Sequence, residues 1–527
     1  MNRVLQSAHE NVAARLILPS LILLGGAALR LWKLGEFPFH PDEAIHAWFA
    51  LALRDYHYDP VYHGPLMYHL VAGAFFVFGN SDMAARLVPA ACGVLLLWLV
   101  LFPARKYMGE RACLWSGVLL ALSPVIVAYS RRLLHDSLVL ALTLGAVLCF
   151  QTALDNQSTS RIGRNARVGL AAILTLFLAT KANVFFIFAM LFAFWIWHLI
   201  AQRKFKIGAM DFVTPALCIF SAIAIFILLY RGGSLSALPA MIGYWGGQQN
   251  EPRLPGPHDY YLRLLLLYEL PLLLTAVWGA WCAIKNRTPF MDLVLWWAFT
   301  SLVLYAVANE KVPWLMAHQV LPLALLGGYG LAQIEWKTTA RKLVFGVAIL
   351  IGLVFSSRHI IATNWENAAN RHEPLFYAQT TEAYRDTLFE LLAKTKGIKA
   401  RSVWAAPDEQ WPIAWYLRDQ SPLLEGAEMR WDDVAPDEST LRLVILPQEQ
   451  WAKMLNEGKF AGWNYLVVER YVWPRPAWSA LQPTAFWEFW RHRKAGLSNG
   501  ILEEESSAIS VFATPPDAKI DKDFSSN

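Results

Sequence analysis

The chain has 527 residues, of which 56% are hydrophobic and only 17% are charged, and its formal net charge is +5. Because soluble domains carry about 25% charged residues, this composition excludes an ordinary soluble protein and indicates a polytopic membrane protein. The net charge is too small, and the basic residues are too dispersed, for nucleic acid to be a partner.

The apolar runs predict about eleven membrane helices, of which the first is a retained span rather than a cleaved signal peptide. Several runs are shorter than the ~20 residues that cross a bilayer, so we expect short or broken helices among them. The predicted spans are 14–34, 86–103, 111–129, 137–154, 168–180, 183–200, 212–230, 262–283, 291–309, 315–334 and 342–360.

The distribution of Lys and Arg between these runs predicts the orientation of the chain. Basic residues recur in every second connection, which places those connections in the cytoplasm together with the N-terminus. The connections 35–85, 130–136, 231–261 and 310–314 then face outward, as does the C-terminal region. We therefore expect a multi-pass protein of the plasma (inner) membrane, N-in and C-out, whose functional loops are extracytoplasmic.

The first outer loop contains an apolar segment, 63–79, that begins with a histidine, a glycine and a proline. Counting this segment as a span would invert every later loop and spoil the alternation of basic connections. It is therefore predicted to lie along the outer interface, as an amphipathic or re-entrant helix. The first loop is then about fifty residues long, far longer than ordinary connections.

From about residue 361 the composition becomes that of a soluble domain. Short apolar strands alternate there with helical stretches, which predicts a small extracytoplasmic α/β domain with a partly parallel sheet. The predicted domains are a transmembrane domain at 1–360, this α/β domain at 361–513 and a disordered tail at 514–527. The predicted strands are 402–406, 441–446, 465–472 and 509–513, and the predicted helices are 376–396, 409–417, 448–455 and 486–494.

Ionisable side chains at a membrane surface are costly unless they are paired or hydrated, so each is a candidate functional residue. Two of them, Asp42 and Glu43, are adjacent carboxylates near the start of the first outer loop. The other candidates on the predicted outer side are His63, Asp82, Arg132, Asp136, Lys181, Glu310 and Lys311.

Some of these residues also fit structural roles. Asp82 with Arg86, and Arg132 with Asp136, have the i,i+4 spacing of ion pairs on one helix. The histidines lack the spacing of a metal-binding motif, so the sequence predicts no metal ligand set.

The acidic pair has two interpretations that the residues alone leave open. Pro41 indicates that a helix begins here, and the helix N-terminus would stabilise both Asp42 and Glu43. Alternatively, one carboxylate is a general base that faces an acceptor hydroxyl.

The acidic pair is followed by Gly64–Pro65–Leu66, by the stretch 79–87 and by the turn 130–136. Further motifs are 244–261, 309–315 with His318 and Pro322, 373–377 and 411–419. This set resembles the GT-C polytopic glycosyltransferases, specifically the dolichyl-phosphate-mannose–protein mannosyltransferase family and its bacterial aminoarabinose-transferase relatives. Within that family the chain is similar to the prokaryotic branch of flippase-activity-associated proteins.

The resemblance implies that a sugar is transferred, with inversion, from a polyprenyl-phosphate donor to a lipid, glycan or protein acceptor at the outer face. Asp42 matches the first-loop acid of the family and is the predicted general base, while Glu43 would orient the acceptor or tune that base. The resemblance implies no certain cofactor and leaves a divalent cation open.

The departing phosphate needs positive charge close to the membrane surface. The predicted phosphate-binding cations are Lys311, Arg132 and Lys181, in that order of preference. The predicted substrate-binding residues are His63, Asp82, Asp136, Glu310 and Trp314.

Two alternatives from other functional classes compete with this hypothesis. One is a lipid-linked-sugar flippase component or transporter without transferase activity, and the other is a non-catalytic scaffold. Transporters line a pathway through the bilayer with charges, whereas here the charges lie on one face and Glu269 is nearly alone within a span. This pattern favours chemistry at the interface.

Overall fold

The computed structural model describes residues 2–53, 56, 61, 63–157, 159–202, 220, 224, 237–250, 256–335, 338–366, 369, 373–376, 378–394, 401–406, 409–418, 441–472, 483–493 and 507–514. By their contacts the residues form two compact units. One consists of Met1–Leu34 with Ala50–Trp365, and the other of Gly35–Phe49 with Glu366–Asn527. We call them the helical unit and the sheet unit. The segment that carries Asp42 and Glu43 belongs to the sheet unit.

Sixteen helices precede the first strand in the part of the chain that the structure describes. They are α1 (Asn2–Leu31), α2 (Pro41–Leu51), α3 (Leu66–Phe78), α4 (Asp82–Leu101), α5 (Arg105–Met108), α6 (Glu110–Ala121), α7 (Pro124–Ser130), α8 (Asp136–Asp155), α9 (Arg161–Leu178), α10 (Val184–Gln202), α11 (Ala237–Asn250), α12 (Tyr260–Tyr268), α13 (Leu270–Lys285), α14 (Pro289–Val307), α15 (Ala317–Ala332) and α16 (Thr339–Ile361). A short 3₁₀ helix, Pro313–Met316, leads into α15.

Six helices in the described ranges are long and apolar enough to cross a membrane, and two bent helix pairs raise that number to eight. The pairs are α6 with α7, bent by 64°, and α12 with α13, bent by 107°. These breaks confirm the expectation of broken helices. The predicted span 212–230 lies outside the described residues except for Phe220 and Ala224. The class of multi-pass helical membrane protein is confirmed, while the number eleven and the orientation stay predictions.

Hydroxyl side chains fix where several of these helices begin. Ser81, Ser123, Ser160, Thr288 and Thr338 each precede a helix and accept a hydrogen bond from a backbone N–H of its first turn. Such caps satisfy donors that would otherwise be unpaired at the helix end. This explains why helices start close to the predicted boundaries even where hydrophobicity changes gradually.

The segment α15 lies at the centre of the helical unit, and nearly all of its residues are buried. It packs against α13 and α6. Gly279 of α13 allows the closest approach, because a Cβ there would lie 1.8 Å from the carbonyl oxygen of Leu326. The close packing holds the N-terminal end of α15, which carries His318, in a defined position.

Glu269 was predicted to lie within a span, and the structure places it in the break between α12 and α13. Its carboxylate is buried and accepts hydrogen bonds from the Ser123 hydroxyl and from the backbone N–H of Val125, the latter at 3.1 Å. Glu269 therefore satisfies the N-terminus of the half-helix α7, which gives this carboxylate a structural role.

The sheet unit contains five strands in the order β1-β4-β5-β3-β2. Strands β2 and β3 pair in parallel, whereas the other neighbours are antiparallel. The strands are β1 (Gln379–Thr380), β2 (Arg401–Ala405), β3 (Leu441–Pro447), β4 (Asn464–Val472) and β5 (Ser507–Thr514), with helices α17 (Glu382–Lys394), α18 (Gln410–Leu417), α19 (Gln448–Asn456) and α20 (Pro483–His492). The predicted partly parallel α/β domain is confirmed, and β1 is the strand that the pattern missed.

The core of this sheet forms around β3 and β5. Val444, Leu446 and Val511 are buried there against the aromatic rings of Trp451 and Phe460. The short apolar stretches to which these residues belong are what made the strands predictable. The predicted disordered tail, apart from its first residue, lies outside the described residues.

Candidate active site

The acidic pair sits at the start of α2, where each carboxylate has a different environment. Glu43 is fully buried, and its Oε2 accepts a hydrogen bond of 3.0 Å from the backbone N–H of His40. In turn, Nδ1 of His40 accepts a hydrogen bond of 3.0 Å from the backbone N–H of Asp42. With Pro41 as the first helical residue, this is a reciprocal N-terminal cap. Glu43 therefore stabilises the helix start.

Asp42 presents a carboxylate that is available to a ligand. Its side chain is 38% exposed, and Oδ2 lies 3.9 Å from Nδ1 of His40. That nitrogen accepts the Asp42 backbone N–H and so is not a hydrogen-bond donor to the carboxylate. In the described ranges no other ion pair involves Asp42, which lies in the first turn of α2. Its position and charge are those of a potential general base.

Contacts with the strands and helices of the sheet unit hold the residues just before this pair. The backbone N–H of Phe39 donates to the Tyr416 hydroxyl at 2.7 Å, and its ring lies 5.4 Å from the Trp415 ring. Both aromatic residues belong to α18 and are buried. The backbone that leads into α2 is therefore fixed three residues before Asp42.

Two further hydrogen bonds hold the same segment. The amide of Gln379 donates to the carbonyl of Pro38 at 3.2 Å, and the guanidinium of Arg385 donates to the carbonyl of Glu36 at 2.6 Å. These donors lie on β1 and α17. The C-terminal elements thus form a platform that positions the loop carrying Asp42.

In the helical unit, three buried side chains form a second cluster, which we call the Asp136 cluster. Asp136 begins α8, Lys181 lies between α9 and α10, and His318 is the second residue of α15. The Lys181 ammonium lies 3.1 and 3.2 Å from the two carboxylate oxygens of Asp136, and His318 Nε2 lies 2.9 Å from Oδ1. A buried ion pair with a third partner is a costly arrangement, which marks a functional candidate.

This cluster corrects one structural interpretation of the sequence. Arg132 and Asp136 have i,i+4 spacing, but α7 ends at Ser130 and α8 begins at Asp136, so the two residues do not share a helix. Asp136 pairs with Lys181 instead, and Arg132 donates to the carbonyl of Ala128 at 3.2 Å.

An apolar cavity of about 310 Å³ extends from the Asp136 cluster. At its polar end His318 stacks on Tyr305, with ring centroids 5.9 Å apart, and the amide of Asn183 donates to the Tyr305 hydroxyl at 3.1 Å. The Trp314 ring lies 5.9 Å from the Lys181 ammonium. The remaining lining is mostly apolar and includes Val139, Phe186, Ile187, Met190, Trp297, Phe299, Val303 and Leu304. The lining fits an apolar ligand segment that has one charged end.

The predicted phosphate-binding lysines differ in how many of their N–H groups already donate to acceptors in the protein. The Lys311 ammonium is buried and donates to the carbonyls of Tyr305 at 2.8 Å, of Ala306 at 2.9 Å and of Ala308. It thereby caps the C-terminus of α14, and burial lowers the pKa of this ammonium. Lys181 donates only to Asp136, so one of its three N–H groups has no acceptor in the described part of the chain.

The other predicted site residues, His63, Asp82 and Glu310, lie in three different segments of the chain. His63 has a left-handed backbone, with φ of 69°, and its ring lies 5.1 Å from that of His135. Asp82 is in the first turn of α4 and half-buried, and Glu310 is half-buried next to Lys311. The structure therefore brings Asp136, Lys181 and Trp314 together, with His63 beside the same turn.

Comparison with known proteins identifies the architecture. A family model described as dolichyl-phosphate-mannose-protein mannosyltransferase matches residues 62–229. The crystal structure of apo ArnT from Cupriavidus metallidurans is similar with a TM-score of 0.59 at 13% identity, covering 96% of this chain and 98% of that one. The chain has the GT-C fold. No curated protein matches its sequence.

Two further structures support this assignment. ArnT from the same organism bound to undecaprenyl phosphate has a TM-score of 0.59 at 14% identity, covering 93% of this chain and 97% of that one. The archaeal oligosaccharyltransferase AglB from Archaeoglobus fulgidus, in complex with an inhibitory peptide and a dolichol-phosphate, has a TM-score of 0.55 at 12% identity. This structural match covers 84% of this chain and 70% of the AglB chain. The resemblance to the GT-C superfamily inferred from the motifs is confirmed.

The family-model match covers one part of the GT-C fold. It includes Asp136 and Lys181 but begins after Asp42 and ends before His318. The remaining part of the GT-C architecture, including the sheet unit, is supported by the structural similarity across nearly the whole chain.

The turn that carries Lys181 packs against residues 64–66, and we expect Gly64 to be required there. The N–H groups of Gly64 and Leu66 donate to the carbonyls of Thr180 and Ala179, both at 2.9 Å. A Cβ at Gly64 would lie 2.3 Å from the carbonyl oxygen of Ala179. Gly64→Ala should therefore destabilise the protein by about 1–3 kcal/mol, which a lowered midpoint of thermal unfolding in detergent would reveal.

Gly73→Ala is the matched control, because no atom lies within 4 Å of a Cβ at that helical position. Its midpoint should stay the same or rise, since alanine favours helix over glycine. Equal midpoints for the Gly64 and Gly73 variants would contradict the close approach of the two segments.

Proposed function

We propose that this protein is an inverting membrane glycosyltransferase that transfers a sugar from a polyprenyl-phosphate donor to an acceptor hydroxyl, with Asp42 as general base. The observation that carries the proposal is the contrast at the start of α2. Glu43 is buried and caps the helix, whereas the Asp42 side chain is 38% exposed and has no ion-pair contact closer than 3.9 Å in the described structure. A carboxylate in that state can accept a proton from a hydroxyl in contact with it.

The chemistry needs only one protein base. The acceptor oxygen attacks the anomeric carbon as the bond from that carbon to the phosphate oxygen breaks, and Asp42 takes the hydroxyl proton. The leaving group is a phosphate that is already ionised, so it departs without a general acid. A single displacement of this kind inverts the anomeric configuration.

The cavity and the fold support the proposed donor class. The similar ArnT structure holds undecaprenyl phosphate and the similar AglB structure holds a dolichol-phosphate. In this chain, we propose that the part of the polyprenyl chain next to the phosphate occupies the apolar cavity lined by His318 and Tyr305. We propose that the phosphate binds near the free donor of Lys181, with Trp314 and His63 close to the donor headgroup.

This assignment changes the order of the cations that the sequence favoured. Lys181 becomes the preferred phosphate ligand because it retains an unused N–H donor. All three N–H groups of Lys311 donate to carbonyls at the C-terminal end of α14. Arg132 remains the second candidate, and Asp136 holds the Lys181 ammonium in place. Asp82 and Glu310 remain proposed substrate contacts.

The site is proposed to lie at the outer face of the plasma membrane. The alternation of basic connections in the sequence supports this orientation. A polyprenyl-phosphate donor also fits a membrane-surface reaction, because its lipid stays in the bilayer while its sugar faces water.

A transfer assay in proteoliposomes tests the proposal against the flippase alternative. Purified protein would be reconstituted with labelled polyprenyl-phosphate sugars and a membrane extract as acceptor source. We expect label to move from the lipid to an acceptor. Movement of the labelled lipid between leaflets, with no transferred label, would overturn the proposal in favour of a flippase or transporter.

The hydrogen bond between Tyr416 and the loop should affect catalysis. Tyr416→Phe removes the hydrogen bond to the buried N–H of Phe39, which is one of the contacts that hold the segment just before Asp42. Because a small displacement of a catalytic group can strongly reduce the rate, we expect kcat to fall about 10-fold with little change in the donor KM. Tyr465→Phe, at an exposed position on β4, is the control and should be neutral. An unchanged kcat in the Tyr416 variant would show that this contact does not position the base.

A further inference from the structure

The sheet unit contains a second cavity, of about 300 Å³, that the proposed mechanism does not use. Phe37 and Pro38 line it from the segment that leads to Asp42. Glu366 lines it from the segment after α16, and Gln379, Thr380 and Glu382 line it from β1 and the start of α17.

The polar groups of this cavity are both donors and acceptors. Thr380 is fully buried, and its hydroxyl has no hydrogen-bond partner among the described residues. Glu382 and Glu366 are exposed carboxylates at its edge, and Glu382 makes no ion pair within the described ranges. A buried hydroxyl without a partner is unfavourable unless a ligand or water satisfies it.

The side chains that line this cavity limit the kinds of ligand that it can bind. Two carboxylates oppose an anion, while the amide of Gln379 and the Thr380 hydroxyl would gain nothing from a purely apolar molecule. Carboxylates accept hydrogen bonds from hydroxyl groups, and the Phe37 ring offers an apolar surface to the face of a sugar ring. A ligand with many hydroxyls on an apolar ring frame satisfies all of these groups.

The position of the cavity relates it to the proposed base. Pro38 is four residues before Asp42, so their Cα atoms are at most about 14 Å apart. Gln379 lines the cavity and also donates to the Pro38 carbonyl at 3.2 Å. One residue therefore joins the wall of the cavity to the segment that carries the base.

We propose that this cavity is an acceptor subsite that binds a glycan, so that one glycan hydroxyl reaches Asp42. The inference rests on the proposed transfer reaction and names the acceptor class for it. Glu382 and Thr380 hydrogen-bond to hydroxyls of the bound glycan, and Phe37 packs against a sugar ring. None of these three residues takes part in the chemical step.

Binding of a defined oligosaccharide to the full-length protein in nanodiscs tests this subsite without requiring transfer. Mannotriose and chitotriose would serve as glycan probes and spermidine as a cationic probe, with calorimetry as the readout. We expect at least one trisaccharide to bind, and Glu382→Gln and Phe37→Ala each to weaken it about 10-fold. Glu449→Gln is the matched control, an exposed carboxylate in the first turn of α19, and should bind like the wild type.

The outcomes separate this inference from the proposed reaction. Asp42→Asn should bind the trisaccharide as the wild type does, so binding that depends on Glu382 supports the subsite even if no transfer is found. No binding of either trisaccharide, binding that is equal in all variants, or binding of spermidine alone would overturn the glycan subsite. Transfer that persists in that case would leave the proposed reaction intact.

Discussion

Replacing Asp42 by asparagine should reduce sugar transfer by at least about 100-fold, because the attacking hydroxyl loses its proton acceptor. The amide keeps the size of the side chain but cannot accept the proton. Since Asp42 is half-exposed and outside any close ion pair, the thermal stability of the protein should be nearly unchanged. Initial rates of label transfer in proteoliposomes, with unfolding midpoints measured in parallel, would check both expectations.

Glu43→Gln is the matched control for that experiment. A glutamine oxygen can still accept the His40 N–H, so the cap of α2 is kept and most of the transfer activity should remain. If the Glu43 variant lost activity while the Asp42 variant kept it, the roles of the two carboxylates would have to be exchanged.

Removing the Asp136 carboxylate should have the largest effect on stability. Asp136→Leu leaves the Lys181 ammonium buried without its counter-charge, and breaking a buried pair in this way costs about 3–5 kcal/mol. We expect a large drop in the unfolding midpoint, measured by intrinsic fluorescence in detergent. Donor affinity should fall as well, because Asp136 holds the ammonium at the end of the apolar cavity.

The double variant Asp136→Leu with Lys181→Met separates stability from function. Removing both charges should restore much of the lost stability, because no uncompensated ion stays buried. Donor binding should not recover, since the proposed phosphate contact is gone. Recovery of both properties would contradict the phosphate-binding role of Lys181, and recovery of neither would contradict the pairing itself.

Most of the fold could be predicted from local patterns in the sequence. Apolar runs gave the positions of helices, and short apolar stretches such as the one around Val444 gave the strands of the sheet. The segment 63–79 was predicted as a helix outside the span count, and α3 begins at Leu66 within it. Bends between paired helices were expected only in general, because a break such as the one at Glu269 depends on a partner, Ser123, far away in sequence.

Only part of the candidate site could be predicted from the sequence. The sequence singled out Asp42 and Glu43, and the structure distinguishes them through hydrogen bonds of His40 that no sequence pattern records. The grouping of the Asp136 cluster could not be predicted from the sequence, because its members come from three distant segments. His318 offered one signal, an ionisable residue at the start of an apolar helix.

Lys311 illustrates how a sequence preference is revised by geometry. A lysine beside a carboxylate and a Pro-Trp pair at the membrane edge is a reasonable phosphate ligand. The chain, however, folds back so that its ammonium meets the carbonyls of Tyr305, Ala306 and Ala308. Helix C-termini attract nearby cations in this way, and only the three-dimensional path of the backbone reveals which lysine remains available.

The anomeric configuration of the transferred sugar tests the central claim most directly. A polyprenyl-phosphate sugar of known anomeric configuration would be given to the reconstituted protein, and the product linkage would be determined by NMR. A single displacement with Asp42 as base predicts the inverted anomer from the wild type and almost no product from Asp42→Asn. Retention of configuration, or undiminished formation of the product by the Asp42 variant, would contradict this mechanism.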